Sequence, residues 1–427
     1  MFAFRCGQHN PFFKIIQRSI TTKEYNLLLL VRSKQRDHGG VLEIFNRMKN
    51  EGEIPDCATY NILIGSAASN KAFNEGVGYF KEMISNDLRP NQHTFTYLFQ
   101  LCAATKKQEK ALGYFYDMRQ YNIPVNDILK TAVVDAFSSC KIQNDNLNLL
   151  KRIENFIEKE ILVDVGVISV INAVVKFYIS QDRTVEANKL IESIPSKYKL
   201  NPDTITNNLI IQLNKNDLDF VFSHFEKMKK TKHVNQRTFV SLFSILKNKN
   251  IPPEKLEELC KYLDDCNLEK NIFVYSSLID CLLSYGMYDS IFDNYQKMKD
   301  NFIKPNDTIL IILLRACSQY LTSSSPKTKQ QLDYVHAIFD DAITLKLTPT
   351  TINNREFTIF MGNLLEYHFR VKSSSFLILK LLEAFKSSQF YTNTRLKSIA
   401  SHLVTKYQPS IDLEALLTDL AAHKKPR

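Results

Sequence analysis

An all-α, right-handed superhelical solenoid of tandem helix-turn-helix units is the fold class that this sequence predicts, and three observations predict it. Met48, Met83 and Met118 are spaced 35 residues apart, and Met228 and Met298 are 70 apart. Three residues before each stands an aromatic: Phe45, Phe80, Phe115, Phe225 and Tyr295. Only 11 glycines occur in 427 residues, which favours helices over a turn-rich β fold or a Gly-looped nucleotide fold. A single core stops growing near roughly 250–300 residues, so a chain this long is several domains or an array whose core grows by addition.

Each unit reads as helix A, a short turn, helix B and a Pro-marked turn. Helix A opens on an aromatic, a small polar residue and two apolar residues, as in "EYNLLL" at Glu24, "TYNILI" at Thr59, "TFTYLF" at Thr94 and "VYSSLI" at Val274. Helix B closes on the aromatic–Met pair, whose i, i+3 spacing puts both side chains on one face. Proline followed by Asp or Asn punctuates the units at "IPD" (Ile54), "RPN" (Arg89), "NPD" (Asn201) and "KPN" (Lys304). Proline cannot continue the helix, and Asp or Asn suits the turn. One helix pair cannot cover its own apolar stripe, whereas stacked neighbours can.

Unit starts fall at 22, 57, 92, 127, 168, 204, 236, 272 and 307, so nine units occupy residues 22–350. The fourth carries extra residues around 141–147 and 165–167, and the ninth carries an insertion, "LTSSSPKTKQQ" from Leu321, that reads as an exposed loop. Residues 351–427 read as a degenerate pair and capping helices.

The first 21 residues contain Arg5, Lys14 and Arg18 and no acid, with a short amphipathic basic stretch from Phe12 to Arg18. This is the pattern of a mitochondrial transit peptide, so the mitochondrial matrix is the expected location. No apolar run reaches the roughly 18 residues that span a bilayer. Eight scattered cysteines include no CxxC, and read as buried thiols in a reducing compartment. The net charge of +10 suits a polyanionic partner or a merely basic soluble protein. No phosphate loop, HExxH or zinc-deaminase signature is present, and the nine histidines form no i, i+4 pair. The acid pairs Glu257–Glu258 and Asp264–Asp265 read as a solvated face of a helix B. The expectation is a binder without cofactor, metal or catalytic residue.

The fifth residue of a unit is small and polar at Asn26, Asn61, Thr96, Thr131, Asn172, Asn208 and Ser276, one turn into helix A and expected on the face opposite the buried pair. Such residues are weak helix formers, so their recurrence needs a reason. Helix capping is one. Reading the base edges of an unpaired strand, one base per unit, is another. Capping does not explain why the last residue of a unit is also Asp or Asn in the well-formed units.

A 35-residue period, "TYNxLI" opening helix A, "xxFxxM" closing helix B and a terminal "PD" or "PN" resemble the pentatricopeptide repeat, P-type, of organellar RNA-binding proteins. The resemblance covers about three quarters of the chain and is most specific in the first three units and the eighth. The period and the absence of Trp set it apart from the tetratricopeptide pattern. In the family, the fifth and last residues together select the base. Carried over, the resemblance implies Asn26 with Asp56 for U, Asn61 with Asn91 for C or U, Thr96 with Asn126 for A, and Thr131 with Asp164 for G. It further implies Asn172 with Asp203 for U, Asn208 with Asn235 for C or U, and Ser276 with Asn306 for A. Val240 and Ile311 depart from the pattern and receive no base, and Ser169 replaces Asn172 if the fifth unit begins at Val165.

The implied function is sequence-selective binding of single-stranded mitochondrial RNA, in processing, stability or translation, with the first unit at the 5′ side. The alternative is a helical-repeat scaffold that binds proteins of a mitochondrial ribosome or RNA-processing complex. An enzyme with an unrecognised active site is the third class.

Overall fold

The computed structural model describes residues 20–371 except 144–145, 267, 324–326 and 346–350, together with positions 373, 378 and 381. Among the described residues there is no β-strand. The expected cleavable segment therefore lies almost wholly, and the C-terminal cap mostly, outside the described residues.

Helices follow one another in pairs: α1 (Thr22–Lys34) and α2 (His38–Asn50), α3 (Cys57–Ser69) and α4 (Phe73–Ser85), α5 (Gln92–Thr105) and α6 (Gln108–Gln120). Next come α7 (Asp127–Phe137) with α8 (Leu147–Phe156), α9 (Ile168–Ser180) with α10 (Thr184–Lys197), and α11 (Thr204–Leu213) with α12 (Leu218–Lys230). The last are α13 (Gln236–Leu246) with α14 (Pro253–Asp265), α15 (Ile272–Ser284) with α16 (Tyr288–Asp300), α17 (Asp307–Thr322) with α18 (Lys329–Thr344), and then α19 (Thr351–Arg370). The chain forms two compact units, Met1–Leu213 and Asn214–Arg427.

In the first unit, α1, α3, α5, α7, α9 and α11 pack in succession, helix A against helix A; in the second, α13, α15, α17 and α19 do the same. The core lies between these rows and the B helices. Met48, Met83, Met118, Met228 and Met298 are buried, as are their aromatic partners. The aromatic of helix B meets the aromatic of the next helix A edge-on: Phe45 with Tyr60, ring centroids 6.2 Å apart, and Phe80 with Phe95, 5.9 Å apart. Phe225 repeats this with Phe239 at 6.0 Å. Edge-to-face pairs add roughly 0.5–1.5 kcal/mol beyond the area they bury. Gly76 permits the close approach of α4, since a Cβ there would lie 2.5 Å from Leu101 Cδ2.

Three local features go beyond the sequence expectation. In α1 the apolar pair is incomplete, because Leu29 is buried while Leu28 is exposed. In the fourth pair α8 runs into a π-helical turn, Ile157–Ile161, which the sequence did not announce, while α9 starts at Ile168 as the unit spacing predicts. In the ninth pair Leu321 is buried inside α17 rather than exposed in a loop, and the connection spans only residues 323–328.

Candidate nucleic-acid interface

The last residue of a unit is the N-cap of the next helix A. Asp56 Oδ1 accepts from the Thr59 N–H at 2.8 Å, and Asn91 Oδ1 from the Thr94 N–H at 3.1 Å. Asn126 does the same with Leu129 at 2.9 Å, Asp203 with Thr206 at 2.8 Å, Asn235 with Thr238 at 3.1 Å and Asn306 with Ile309 at 3.0 Å. Each satisfies a backbone donor that the first turn leaves without a partner. Capping therefore accounts by itself for Asp or Asn at this place, which corrects the expectation that capping would leave the last residue unexplained.

The fifth residue turns toward that cap. Asn26 Nδ2 donates to Asp56 Oδ1 at 3.0 Å, Asn61 Nδ2 to Asn91 Oδ1 at 3.3 Å, and Asn172 Nδ2 to Asp203 Oδ1 at 3.0 Å. A threonine of the next helix closes each link. Thr59 donates to Asn26 Oδ1 at 2.7 Å, Thr94 to Asn61 Oδ1 at 2.7 Å and Thr206 to Asn172 Oδ1 at 2.8 Å. Asn61, Asn172 and Asn208 are buried, not on an open face as the sequence suggested. They lie on the flank of helix A that packs against the next helix A, so a polar group there must be hydrogen-bonded. Because α9 starts at Ile168, it is Asn172 and not Ser169 that meets Asp203.

Burial works against charge on Asp56, but hydrogen bonds from Thr59 and Asn26 outweigh it and hold the carboxyl below its usual range. Asp203 is held down in the same way, burial being outweighed by Thr206 and Asn172.

The threonine units differ. Thr96 donates its hydroxyl to the Gln92 carbonyl at 2.9 Å, and Thr131 to the Asp127 carbonyl at 2.8 Å, both within their own helices. Asp164 does not cap α9; Val167 occupies that place, and Asp164 sits in a left-handed turn at φ 50°. Lys130 stands where the first three units have Tyr25, Tyr60 and Phe95, and is only 7% exposed. Its ammonium donates to the carbonyls of Val163 at 2.6 Å and Asp164 at 3.3 Å. With no aromatic at that place, Phe115 keeps only the contact to the next helix B, on Phe156 at 4.7 Å, which Phe45 and Phe80 also make with Tyr79 and Tyr114. Asn208 is on α11 in the first compact unit, and Asn235 caps α13 in the second. Ser276 is half-buried on α15.

Sequence reasoning overlooked the second residue of a unit. Ile128 and Phe273 are each 68% exposed, and Ile205 is 52% exposed. Each lies three residues before a fifth residue, on the same helix face. An apolar residue directly after the first residue of helix A, ahead of the buried aromatic place, was the available signal. Among the described residues no group of three or more His, Cys, Asp or Glu could hold a metal ion, and no helix is long and apolar enough to cross a membrane.

Comparison with known proteins matches repeats in two stretches of the chain. The profile of the PPR repeat family matches residues 55–104, that of the pentatricopeptide repeat domain residues 16–70, and that of the PPR repeat residues 273–301. No curated protein matches the chain. Among solved structures it is similar to the pentatricopeptide repeat protein PPR10 from maize, with 16% identity over 96% of this chain and 60% of that one, at a TM-score of 0.43. It is also similar to a cysteine-to-serine variant of PPR10 in complex with an 18-nt PSAJ RNA element (14% identity, 95% of this chain, 63% of that chain, TM-score 0.40). A PPR10 complex with an 18-nt psaJ RNA element gives 15%, 96%, 66% and 0.37. This chain thus spans less than two thirds of the length of those proteins. Two of the family matches fall on α1 to α5 and the third on the α15–α16 pair: the chain carries pentatricopeptide repeats in these stretches.

Proposed function

We propose that this chain binds single-stranded RNA with sequence selectivity, one base per helix pair, and that it acts in mitochondria in the processing, stability or translation of organellar transcripts. The observation that carries this reading is the hydrogen-bonded pairing of fifth and last residues across successive unit boundaries, Asn26–Asp56, Asn61–Asn91 and Asn172–Asp203. The amide and carboxylate atoms left over at each junction are donors and acceptors suited to base edges. The exposed Ile128, Ile205 and Phe273, each three residues before a fifth residue, offer apolar surface against which unpaired bases can pack. A net charge of +10 favours the phosphate backbone. The acid-free start with Arg5, Lys14 and Arg18 supports import, which a mature protein beginning near residue 22 would bear out and a cytosolic one beginning at Met1 would refute.

The test is selection of bound sequences from a randomised RNA pool. The expected consensus is U-Y-A-N-U-Y-N-A-N, where Y is a pyrimidine and N is unassigned; the G that Thr131 with Asp164 implied is withdrawn because Val167, not Asp164, stands at the cap of α9. Thr96→Asn places an amide where Asn61 stands one unit earlier, and should turn the third base from purine to pyrimidine. Equal binding of every sequence, governed by salt alone, would leave a non-specific binder and favour the protein-scaffold reading.

A further inference from the structure

We infer that the first residue of a unit, where it is glutamine, is a positioning residue for recognition: Gln92 and Gln236 fix the amide orientation of Asn126 and Asn271, the last residues of their own units. The inference rests on the reading that the last residue of a unit meets a base.

The orientation follows from backbone groups that have only one polarity each. Asn126 caps α7, so its Oδ1 faces the Leu129 N–H at 2.9 Å. A backbone N–H can only donate. The amide nitrogen of Asn126 therefore points away from α7, and there it donates to Gln92 Oε1 at 3.1 Å. Gln92 Nε2 must then find an acceptor, and it donates to the Pro124 carbonyl at 3.5 Å. Turning over either amide would set donor against donor or acceptor against acceptor.

The other compact unit repeats the arrangement independently. Asn271 Oδ1 accepts from the Val274 N–H at 3.1 Å, its Nδ2 donates to Gln236 Oε1 at 2.5 Å, and Gln236 donates to the Glu269 carbonyl. In both units the fifth residue does not supply this hold: the Thr96 hydroxyl is bonded to its own helix, and Val240 is apolar. Where the fifth residue is Asn26, Asn61 or Asn172, that residue holds the cap instead. Glutamine at the first place thus takes over an orienting task. It leaves Asn126 with one N–H and one lone pair, and Asn271, whose Oδ1 also accepts from the Phe273 N–H at 3.1 Å, with one N–H, presented in a fixed direction to whatever enters. Preorganised hydrogen bonding of this kind acts on specificity through the partner it orients. The seventh unit, which the fifth-residue pattern leaves without a base, then acquires a preference through Asn271.

The experiment compares the full chain with Thr96→Asn, Gln92→Leu, Gln92→Glu and Gln236→Leu in selection from a randomised RNA pool, with melting temperatures measured in parallel. Gln92→Leu removes the acceptor but leaves the Asn126 cap intact. It should lower the preference at the third base about fivefold or more, the low end of a single mismatch, without changing neighbouring positions or the melting temperature. Gln92→Glu keeps an acceptor for Asn126 and should keep the third-base preference, with affinity falling evenly for all sequences. Gln236→Leu should abolish a preference at the seventh base. If Thr96→Asn shifts the third base while Gln92→Leu leaves it as in the parent, glutamine does not position the reader and the inference is overturned. Equal loss in Gln92→Leu and Gln92→Glu overturns it too. If the parent shows no preference anywhere, it is base reading itself that fails, and this inference falls with it.

Discussion

Asn26 Nδ2 donates to Asp56 Oδ1 at 3.0 Å, and that same carboxylate oxygen accepts the Thr59 N–H at 2.8 Å to cap α3. One atom therefore serves both the stability of the next helix and the candidate reading pair. Recognition and folding are coupled at each such junction, and the two effects separate only with substitutions that keep the cap.

Asp56→Ala removes the cap and the partner of Asn26. The loss should be about 0.5–2 kcal/mol, as for other N-caps. Asp56→Asn keeps an accepting oxygen, and Asn caps as well as Asp, so its stability should stay within about 0.5 kcal/mol of the parent. On the proposed function the same variant broadens the first base from U to either pyrimidine. Urea titrations of both variants, beside RNA selection with Asp56→Asn, check this; equal stability of Asp56→Ala and parent would count against the cap.

Acid should weaken these junctions. Asp56 and Asp203 have carboxyls held below their ordinary range in the folded chain. A depressed folded pKa contributes stability that is fully present above the unfolded value, about 3.9, and is lost as pH falls through the folded value. The double variant Asp56→Asn, Asp203→Asn should therefore lose less stability than the parent between about pH 5 and pH 3. Parallel acid losses in urea midpoints would refute the assignment.

Met83 is fully buried between helix pairs. Met83→Ala should cost about 2–5 kcal/mol, the range for large-to-small changes in a packed core. Helical content and the urea midpoint measured together would show whether α4 still packs.

Phe273 is 68% exposed and directly follows the first residue of α15. Phe273→Ala should leave the melting temperature nearly unchanged. If a base stacks on the ring, RNA affinity should drop by roughly 1–3 kcal/mol. Unchanged affinity in filter binding would remove Phe273 from the interface.

The helical-repeat fold was readable because burial is periodic. Met48, Met83 and Met118 occupy equivalent places, and an apolar face that repeats every 35 residues can be covered only by stacking. The residue types at the junctions were readable as well, since small polar residues one turn into a helix go against propensity. Other features were hidden. That Asp56 caps α3 and also accepts from Asn26 requires two helices brought side by side, 30 positions apart in the chain. The place of Asp164 was misleading because α9 starts at Ile168, which leaves Val167 at the cap and Asp164 in the turn before it.

What the sequence determined alone is which side chains must be buried and where each helix can begin, because hydrophobic spacing and caps act within one helix or turn. What only the tertiary structure decided is the direction of each polar atom. Asn61, Thr96 and Asn172 share a register position, yet Asn61 and Asn172 reach across to the next cap while Thr96 bonds back to Gln92. The physical reason is reach and satisfaction. An amide buried between two packed helices has both donor and acceptor to place and is long enough to bridge them, whereas a threonine hydroxyl is satisfied by a carbonyl of its own turn.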